Sequence, residues 1–176
     1  MIFQETKLKG AYIVDIKRRE DDRGFFARSW CRREFEAHGL NPQIAQCNIS
    51  FSVRKGTLRG MHFQVKPFEE AKLVRCTVGS LCDVIVDLRP DSPTFKHHLS
   101  VILTAENRTM LFVPEGFAHG FLTLEDNTEV HYQISEFHAP DHGRGFRWND
   151  PAFGIAWPAD VKVISERDRN YPDFSG

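Results

Sequence analysis

The sequence predicts an all-β protein of the sandwich or barrel type. Three observations favour this class: apolar residues alternate with period two in several short runs, turn-forming residues divide these runs at regular intervals, and one segment alone shows a clear helical period. Short strands at this spacing are typical of two packed antiparallel sheets or of a barrel. We therefore take all-β as the fold class and assign its elements in turn.

Six strands are predicted in the middle of the chain. The first two, residues 73–78 and 81–88, are joined by Gly79-Ser80, a pair that is typical of a tight hairpin turn. Apolar residues at every second position of the second run favour a strand over a helix. The other four predicted strands are residues 99–103, 109–113, 120–124 and 129–135.

One helix is predicted near the N-terminus, in the segment SWCRREFEAHGL. Trp30, Phe35 and His38 follow a helical spacing there, Ser29 is placed to cap the first turn, and Gly39 is placed to end the helix. The segment PADVKVISERDRNYPDF near the C-terminus is more polar. It predicts a short helix or an ordered tail.

Length and charge restrict the classes of function. The 176 residues predict one domain, residues 1–176, because all-β domains of this size commonly fold undivided. A formal net charge of -1 and a pI of about 6.7 provide no global basic field, so we expect no nucleic-acid or membrane partner. Because no segment has the apolar run of a signal peptide or membrane span, we expect a cytoplasmic protein.

The cysteines predict no disulfide framework. They form no CxxC pair, and we interpret them as reduced and mostly buried thiols. A zinc site made of Cys76, Cys82, His97 and His98 is the alternative, although the spacing matches no usual zinc pattern. The four cysteines are Cys31, Cys47, Cys76 and Cys82.

Two short motifs carry histidines that could meet inside a barrel. GTLRGMHFQ contains His62 and PEGFAHGF contains His119, and a barrel interior is a natural pocket for a small molecule. For either histidine alone, a hydrogen-bonded core residue is the alternative. Strict alternation would place Arg59 and His62 on opposite faces of one strand, so their use in one site requires a bulge at Gly60 or an approach of the ligand from the strand end.

These two motifs resemble the paired signatures of the cupin superfamily. GTLRGMHFQ has the glycine and the first histidine of one signature. PEGFAH has the proline, the glycine and the second histidine of the other. A metal-binding cupin would carry another histidine where Gln64 stands, and glutamine is a poor ligand for a transition metal. We therefore expect a cupin pocket without a metal.

A closer resemblance extends over nearly the whole chain. It rests on DDRGFF, QCNISFS, TLRGMHFQ, AKLV, DVIVDLRPDSPTF, VPEGFAHGF, RWNDPAFGIAWP and SERD, in this order. Together they resemble the nucleotide-sugar epimerases typified by dTDP-4-dehydrorhamnose 3,5-epimerase. The resemblance implies a jelly-roll homodimer without metal or other cofactor. It also implies inversion of C3, C5 or both in a nucleoside-diphosphate 4-keto-6-deoxyhexose.

The resemblance also implies roles for four side chains. Removing a hydrogen from a carbon beside a ketone requires a base and a group that stabilises the enolate oxygen. His62 would be the base, Asp168 would hydrogen-bond the far nitrogen of its ring, and Lys72 would stabilise the enolate. Tyr132 would supply a proton from the opposite face. Taken one at a time, Lys72 would be a solvated charge at a strand edge, Asp168 a surface residue, and Tyr132 a half-buried tyrosine of a sheet.

Substrate-binding residues are implied in the same way. Arg23 and Arg59 match positions that contact phosphate or substrate, as suits a planar guanidinium. Gln46, Asn48 and His119 match polar positions that line the pocket.

Two residues depart from the family pattern and leave the nucleotide open. Arg28 stands where relatives commonly carry glutamate, and His138 stands where they commonly carry tyrosine; both regions contact the ligand. A change from carboxylate to guanidinium reverses the local charge, so TDP, CDP and GDP sugars all remain candidates. Two other functions also remain open: a non-catalytic sugar-nucleotide-binding cupin, and a metal-dependent cupin isomerase or dioxygenase.

Overall fold

A computed structural model describes residues 1–175, and it confirms the all-β class. Two large antiparallel sheets pack face to face as a jelly roll, and a small separate hairpin lies apart from them. No helix among the described residues is long and apolar enough to cross a membrane.

The first large sheet has its strands in the order β1-β2-β10-β7-β12-β5, which leaves β5 at one edge. Its strands are β1 (Ile2–Glu5), β2 (Tyr12–Asp15), β5 (Gln46–Ser52), β7 (Lys72–Val78), β10 (Met110–Val113) and β12 (Thr128–Ile134).

The second large sheet has the order β13-β6-β11-β8-β9, and β14 pairs in parallel with β6. Its strands are β6 (Thr57–Gln64), β8 (Ser80–Asp87), β9 (His98–Thr104), β11 (Phe117–Thr123), β13 (Gly143–Gly145) and β14 (Val163–Ile164). The hairpin consists of β3 (Arg19–Asp21) and β4 (Gly24–Phe26).

Apolar residues form three layers around the two sheets. The main cluster fills the space between the sheets and includes Leu81, Ile85 and Phe121. A second cluster, centred on Phe35, packs against the outer face of the first sheet. A third cluster, which includes Phe146, covers the outer face of the second sheet. Because β8 lies between two of these layers, all eight of its residues are buried.

The predicted hairpin at Gly79-Ser80 is wrong. The chain does turn there, but β7 pairs with β10 and β12, whereas β8 pairs with β9 and β11. The segment is therefore an arch from one sheet to the other. Turn-forming residues specify a change of direction, and which strands then pair depends on segments far away in the sequence.

The predicted N-terminal helix is present, but its start differs. α1 spans Arg32–Ala37 with Cys31 at the N-cap and no capping side chain, so the assignment of Ser29 as the cap is wrong. Ser29 lies two residues too early to reach the first-turn N–H groups. Gly39 ends the helix in a left-handed conformation with φ of 68°, as predicted.

The polar C-terminal segment forms the short helix that was predicted. α2 spans Glu166–Arg169, and the Ser165 hydroxyl caps it by accepting a hydrogen bond from the backbone N–H of Asp168 at 3.0 Å. This helix brings Asp168 to strand β6.

The bulge predicted at Gly60 is confirmed. On β11, His119 pairs with His62 and Phe121 pairs with Arg59, so Gly60 and Met61 together lie opposite Gly120. Gly60 has φ of 140°, and a Cβ there would lie 2.5 Å from the Gly120 Cα. Only glycine fits this approach, and the extra residue lets Arg59 and His62 reach the same side of the strand.

Candidate active site

A cavity of about 680 Å³ opens between the two sheets. The first sheet contributes side chains from β5, β7 and β12, and the second contributes side chains from β6 and β11. The volume suits a small molecule of several rings. The cavity is lined by nine of the residues predicted for the site: Gln46, Asn48, Arg59, His62, Lys72, His119, Tyr132, His138 and Asp168.

His62 and Asp168 form a hydrogen-bonded pair in this cavity. The His62 Nε2 lies 2.7 Å from the Asp168 Oδ1. Asp168 is almost fully buried, whereas 41% of the His62 side chain is exposed. Holding the proton on Nε2 leaves Nδ1 as the ring nitrogen that can accept a proton.

The carboxyl group of Asp168 is ionised in the folded protein at neutral pH. Burial by itself would raise its pKa, but the hydrogen bond and charge of His62 and the Gly60 N–H outweigh burial, and the pKa lies below its usual range. The Gly60 N–H donates to Oδ2 at 3.3 Å. An ionised Asp168 stabilises the imidazolium that forms when His62 takes up a proton.

A second histidine–carboxylate pair lies on the neighbouring strands β11 and β8, and its histidine lines the same cavity. The His119 Nε2 lies 2.6 Å from the Asp83 Oδ1, and both side chains are buried. The other carboxyl oxygen, Oδ2, is buried without a hydrogen-bond partner among residues 1–175. His119 also contacts Tyr132, with their ring centroids 6.1 Å apart and edge to face.

Tyr132 lies on β12, in the sheet opposite the one that carries His62. Burial raises the pKa of its phenol well above the usual value, and the negative charge of Asp83 raises it further. The opposing effect of the positive charge of Arg59 is smaller. Tyr132 is therefore a neutral phenol that can donate a proton into the cavity.

Lys72 enters the cavity from β7 and is paired with a carboxylate. Its Nζ lies 2.8 Å from the Glu70 Oε1, and both side chains are nearly buried. The pair places a defined ammonium group in the cavity wall, with N–H groups left to donate to a ligand.

Three arginines line the cavity without a carboxylate partner. Arg59, Arg144 and Arg167 form no ion pair within the part of the chain that the structure describes. Arg59 donates to the Phe51 carbonyl at 3.2 Å, and Arg144 donates to the Asp141 carbonyl at 2.9 Å. Their charges are therefore available to an anionic ligand.

The remaining polar residues of the cavity come from β5 and from the loop after β12. Gln46 and Asn48 lie on the same face of β5. The Gln46 Oε1 accepts a hydrogen bond from the His138 backbone N–H at 3.2 Å, which fixes the loop that carries the His138 imidazole.

Gln64 has a structural role at the position where a metal-binding cupin would carry a ligand. Its Nε2 donates to the carbonyls of Phe68 and Phe137 at 2.8 and 3.2 Å, and its Oε1 accepts from the Ala139 N–H at 2.7 Å. Among residues 1–175, no group of three His, Cys, Asp or Glu side chains is arranged to hold a metal ion.

Two residues predicted for substrate binding lie outside the cavity of their own chain. Arg23 lies in the turn of the β3–β4 hairpin, where its guanidinium pairs with Asp21 and 89% of its side chain is exposed. Arg28 pairs with Glu34 at 2.6 Å at the start of α1.

Sequence reasoning missed four further cavity residues or partners. Glu70 was overlooked although it lies next to the AKLV motif, and Asp83 although a carboxylate inside a buried apolar strand is itself a signal. Arg167 immediately precedes Asp168 in SERD, so its position on the same short helix could have been read. For Arg144 the sequence gives no signal, because β13 is only three residues long.

The fold and the site define a cupin-class protein with an acid–base site in a cavity of small-molecule size. The family model for dTDP-4-dehydrorhamnose 3,5-epimerase matches residues 5–176. The chain is 40% identical to the dTDP-4-dehydrorhamnose 3,5-epimerase of Sinorhizobium fredii, over 99% of this chain and 90% of that protein.

Two solved structures extend the comparison. The Bacillus anthracis dTDP-4-dehydrorhamnose 3,5-epimerase, solved with TDP and PPi bound, superposes with a TM-score of 0.94 at 42% identity, over 98% of this chain and 99% of that one. The Legionella pneumophila dTDP-6-deoxy-D-glucose-3,5-epimerase, in complex with dTDP-4-keto-L-rhamnose, gives 0.90 at 33% identity, over 98% and 92%. The chain belongs to the dTDP-4-dehydrorhamnose 3,5-epimerase family, a family of isomerases.

Proposed function

We propose that this protein epimerises C3, C5 or both in a nucleoside-diphosphate 4-keto-6-deoxyhexose of the dTDP-4-dehydro-6-deoxyglucose type, in deoxysugar biosynthesis. The observation that carries the proposal is the position of His62 and Tyr132, which line one cavity from opposite sheets. A sugar ring between the sheets would have a base on one face and an acid on the other. Inversion at carbon requires that arrangement.

The first step is removal of a proton by His62. A hydrogen on C3 or C5 is weakly acidic because the C4 ketone accepts the electron pair as an enolate. The Nδ1 of His62 takes the proton, and the ionised Asp168 stabilises the resulting imidazolium through the 2.7 Å hydrogen bond. The Lys72 ammonium stabilises the enolate oxygen, with Glu70 holding the lysine in place.

The second step is return of a proton from the opposite face. The Tyr132 phenol donates its proton to the same carbon, and the C4 carbonyl re-forms. The environment that raises the pKa of Tyr132 keeps the phenol protonated before each turnover. His62 and Tyr132 then regain their starting protonation states by exchange with solvent.

The unpaired arginines suit the diphosphate of the substrate. A guanidinium binds phosphate oxygens in a bidentate manner, and Arg59, Arg144 and Arg167 are free of carboxylate partners among residues 1–175. The relative from Bacillus anthracis was solved with TDP and PPi bound, which supports a thymidine nucleotide here. Gln46, Asn48, His119 and His138 are assigned to the sugar and the nucleotide.

We infer that the protein is a homodimer. Edge strand β5 exposes two apolar residues: Ile49, which also lines the cavity, is 66% exposed, and Phe51 is 49% exposed. Phe26 of the β3–β4 hairpin is 72% exposed. Association through these surfaces would bury the apolar side chains, and it offers a route by which Arg23 and Arg28 reach a substrate bound to a second copy.

The experiment that tests the function is proton NMR of a 4-keto-6-deoxyglucose nucleotide in deuterated water, run in parallel with the TDP, CDP and GDP forms. Loss of the C3 or C5 signal with the appearance of an inverted product is the expected result. Binding without exchange would favour a non-catalytic sugar-nucleotide-binding protein. Exchange that is lost to a chelator and restored by a metal would favour a metal-dependent cupin. A cytoplasmic location stays a prediction.

The homodimer is tested by sedimentation of the wild-type protein and of Phe51→Glu, since Phe51 is exposed on β5 and does not line the cavity. The wild-type protein should sediment at twice the chain mass, and a charge on the apolar face of β5 should shift it toward the monomer. A wild-type monomer at micromolar concentration would contradict the dimer and leave the catalytic proposal in place.

A further inference from the structure

Tyr171 lies just beyond α2 and contacts two residues of the cavity. Its ring packs edge to face against the His62 imidazole, with centroids 5.9 Å apart at 64°. Its hydroxyl oxygen accepts a hydrogen bond from the Nε of Arg167 at 2.7 Å. The ring of Tyr171 therefore contacts His62, and its hydroxyl contacts Arg167.

A glycine in the neighbouring strand makes room for the ring. Gly145 on β13 pairs with His62 on β6, and a Cβ at Gly145 would lie 2.5 Å from two ring atoms of Tyr171. No real Cβ contact is this short, so any other residue at position 145 would displace the ring from His62. The Tyr171 ring therefore packs directly against the backbone of Gly145.

The segment after Tyr171 is fastened to the second sheet. The Pro172 carbonyl accepts from the Arg147 backbone N–H at 3.0 Å, and the Asp173 carboxylate accepts from the Arg147 Nε at 2.8 Å. The Phe174 N–H donates to the Asp150 Oδ2 at 2.6 Å. These bonds hold the backbone after Tyr171, and α2 holds the backbone before it, so the Tyr171 ring has a fixed position relative to β6.

The hydroxyl end restricts the guanidinium of Arg167. Arg167 and Tyr171 are four residues apart, a spacing that brings side chains together at the end of a helical turn. The guanidinium carbon lies 5.6 Å from the centre of the tyrosine ring. With Nε occupied by the hydroxyl, the two terminal nitrogens of Arg167 remain to bind an anion.

We propose that Tyr171 is a positioning residue for catalysis: its ring orients the His62 imidazole, and its hydroxyl orients the Arg167 guanidinium toward the diphosphate of the substrate. The inference rests on the proposed function, since it assigns a diphosphate to Arg167 and a base to His62. Tyr171 itself touches neither the reacting carbons nor the enolate oxygen in this scheme.

The two ends of Tyr171 are tested separately by two substitutions. Tyr171→Phe removes the hydroxyl and keeps the ring, so KM and the Kd for dTDP should rise about threefold to tenfold while kcat stays within about twofold. Its pH profile of kcat should match that of the wild type. Tyr171→Ala also removes the ring contact, so kcat should fall about tenfold or more and its pH profile should shift.

A double-mutant cycle tests whether the hydroxyl acts through Arg167. If it does, Arg167→Gln and the double variant with Tyr171→Phe should bind dTDP equally weakly. Additive losses in the cycle would overturn the coupling, and wild-type KM and kcat in both Tyr171 variants would overturn the positioning role. Tyr12→Phe, distant from the cavity, is the matched control, and thermal unfolding of every variant shows whether the native fold is retained.

The outcomes also separate this inference from the proposed function. If the wild-type protein exchanges no sugar hydrogen, the epimerase proposal fails, and the dTDP affinity cycle still decides whether Tyr171 acts through Arg167. If the wild-type protein is active and Tyr171→Phe has unchanged KM and dTDP affinity, the inference fails and the epimerase proposal stands.

Discussion

His62 and Tyr132 line the same cavity from opposite sheets, His62 from β6 and Tyr132 from β12. The imidazole is paired with an ionised carboxylate, and the phenol has a raised pKa because it is buried. The ionised carboxylate stabilises the imidazole once it has taken a proton, and the phenol stays protonated until it gives its proton to the substrate.

His62→Ala should abolish exchange of the C3 and C5 hydrogens with solvent. The loss should be at least about 10³-fold, because the variant has no base at the position of His62, and the other histidine–carboxylate pair, His119–Asp83, is buried. The Kd for dTDP should change by less than about threefold. NMR in deuterated water and calorimetry measure the two quantities, with His98→Ala on the outer strand β9 as the control. Normal exchange in His62→Ala would remove this residue as the base.

Asp168→Asn should lower kcat by roughly 10²-fold or more while the cavity stays intact. The amide can donate to the imidazole, which disfavours the tautomer with Nδ1 free, and it no longer stabilises the imidazolium. The pH–rate profile and dTDP binding report the effect, and Asp91→Asn on the surface is the control. An unchanged kcat would show that the 2.7 Å pair with His62 is only structural.

Tyr132→Phe should separate exchange from inversion. Deprotonation by His62 remains possible, so deuterium should still enter at C3 or C5 from the original face, whereas the inverted sugar should not accumulate. NMR of the product gives both results, with Tyr12→Phe as the control. Inversion at both carbons at the wild-type rate would place the acid elsewhere.

Glu70→Gln should change KM and kcat in the same direction. The amide removes a negative charge from a cavity that must accept a diphosphate, so KM should fall about threefold to tenfold. In the wild type the Lys72 Nζ lies 2.8 Å from the Glu70 Oε1. The substitution removes this ion pair and so weakens the positioning of the ammonium, and kcat should fall as well. Steady-state kinetics measures both constants, with Glu69→Gln as the control. A raised KM would show that Glu70 helps to bind the substrate.

Asp87→Asn should destabilise the fold without touching the site. The Asp87 carboxylate accepts hydrogen bonds from Arg89, Ser92 and Thr94 in the DLRPDSPTF motif. Burial opposes ionisation, but these hydrogen bonds prevail and lower its pKa from 3.8 to about 2. We expect a loss of about 1–3 kcal/mol in the free energy of unfolding at neutral pH.

The pH dependence of that loss follows from the sign of the shift. Because the folded pKa of Asp87 is below the unfolded value, its contribution is complete above pH 3.8 and is lost as the pH falls through about 2. The difference in unfolding free energy between the wild type and Asp87→Asn should therefore shrink over that interval. Urea titrations at several pH values measure it, with Asp91→Asn as the control. A difference that is independent of pH would mean that the charge of Asp87 contributes nothing.

Several features of this protein follow from the sequence alone. Period-two runs predicted the all-β class, and the predicted strands differ from the observed ones by one to three residues at most ends. The conflict between Arg59 and His62 left a bulge at Gly60 as one of two solutions, because side chains alternate along a regular strand, and the bulge is the solution observed. Ordered motifs indicated the family. All of these depend on residues that are close together in the chain.

Other features were decided only by the tertiary structure. His62 and Asp168 are 106 residues apart in the chain, and no local pattern joins them. The family resemblance implied their hydrogen bond, and the packing of α2 against β6 provides its geometry. Three further features depend on the tertiary structure and not on local sequence. They are the arch at Gly79, the pairing of Asp83 with His119, and the position of Arg23 outside the cavity of its own chain. Local patterns of polarity and turn residues fix the faces and ends of strands. Which strands pair and which side chains meet depends on packing between segments that the sequence keeps far apart.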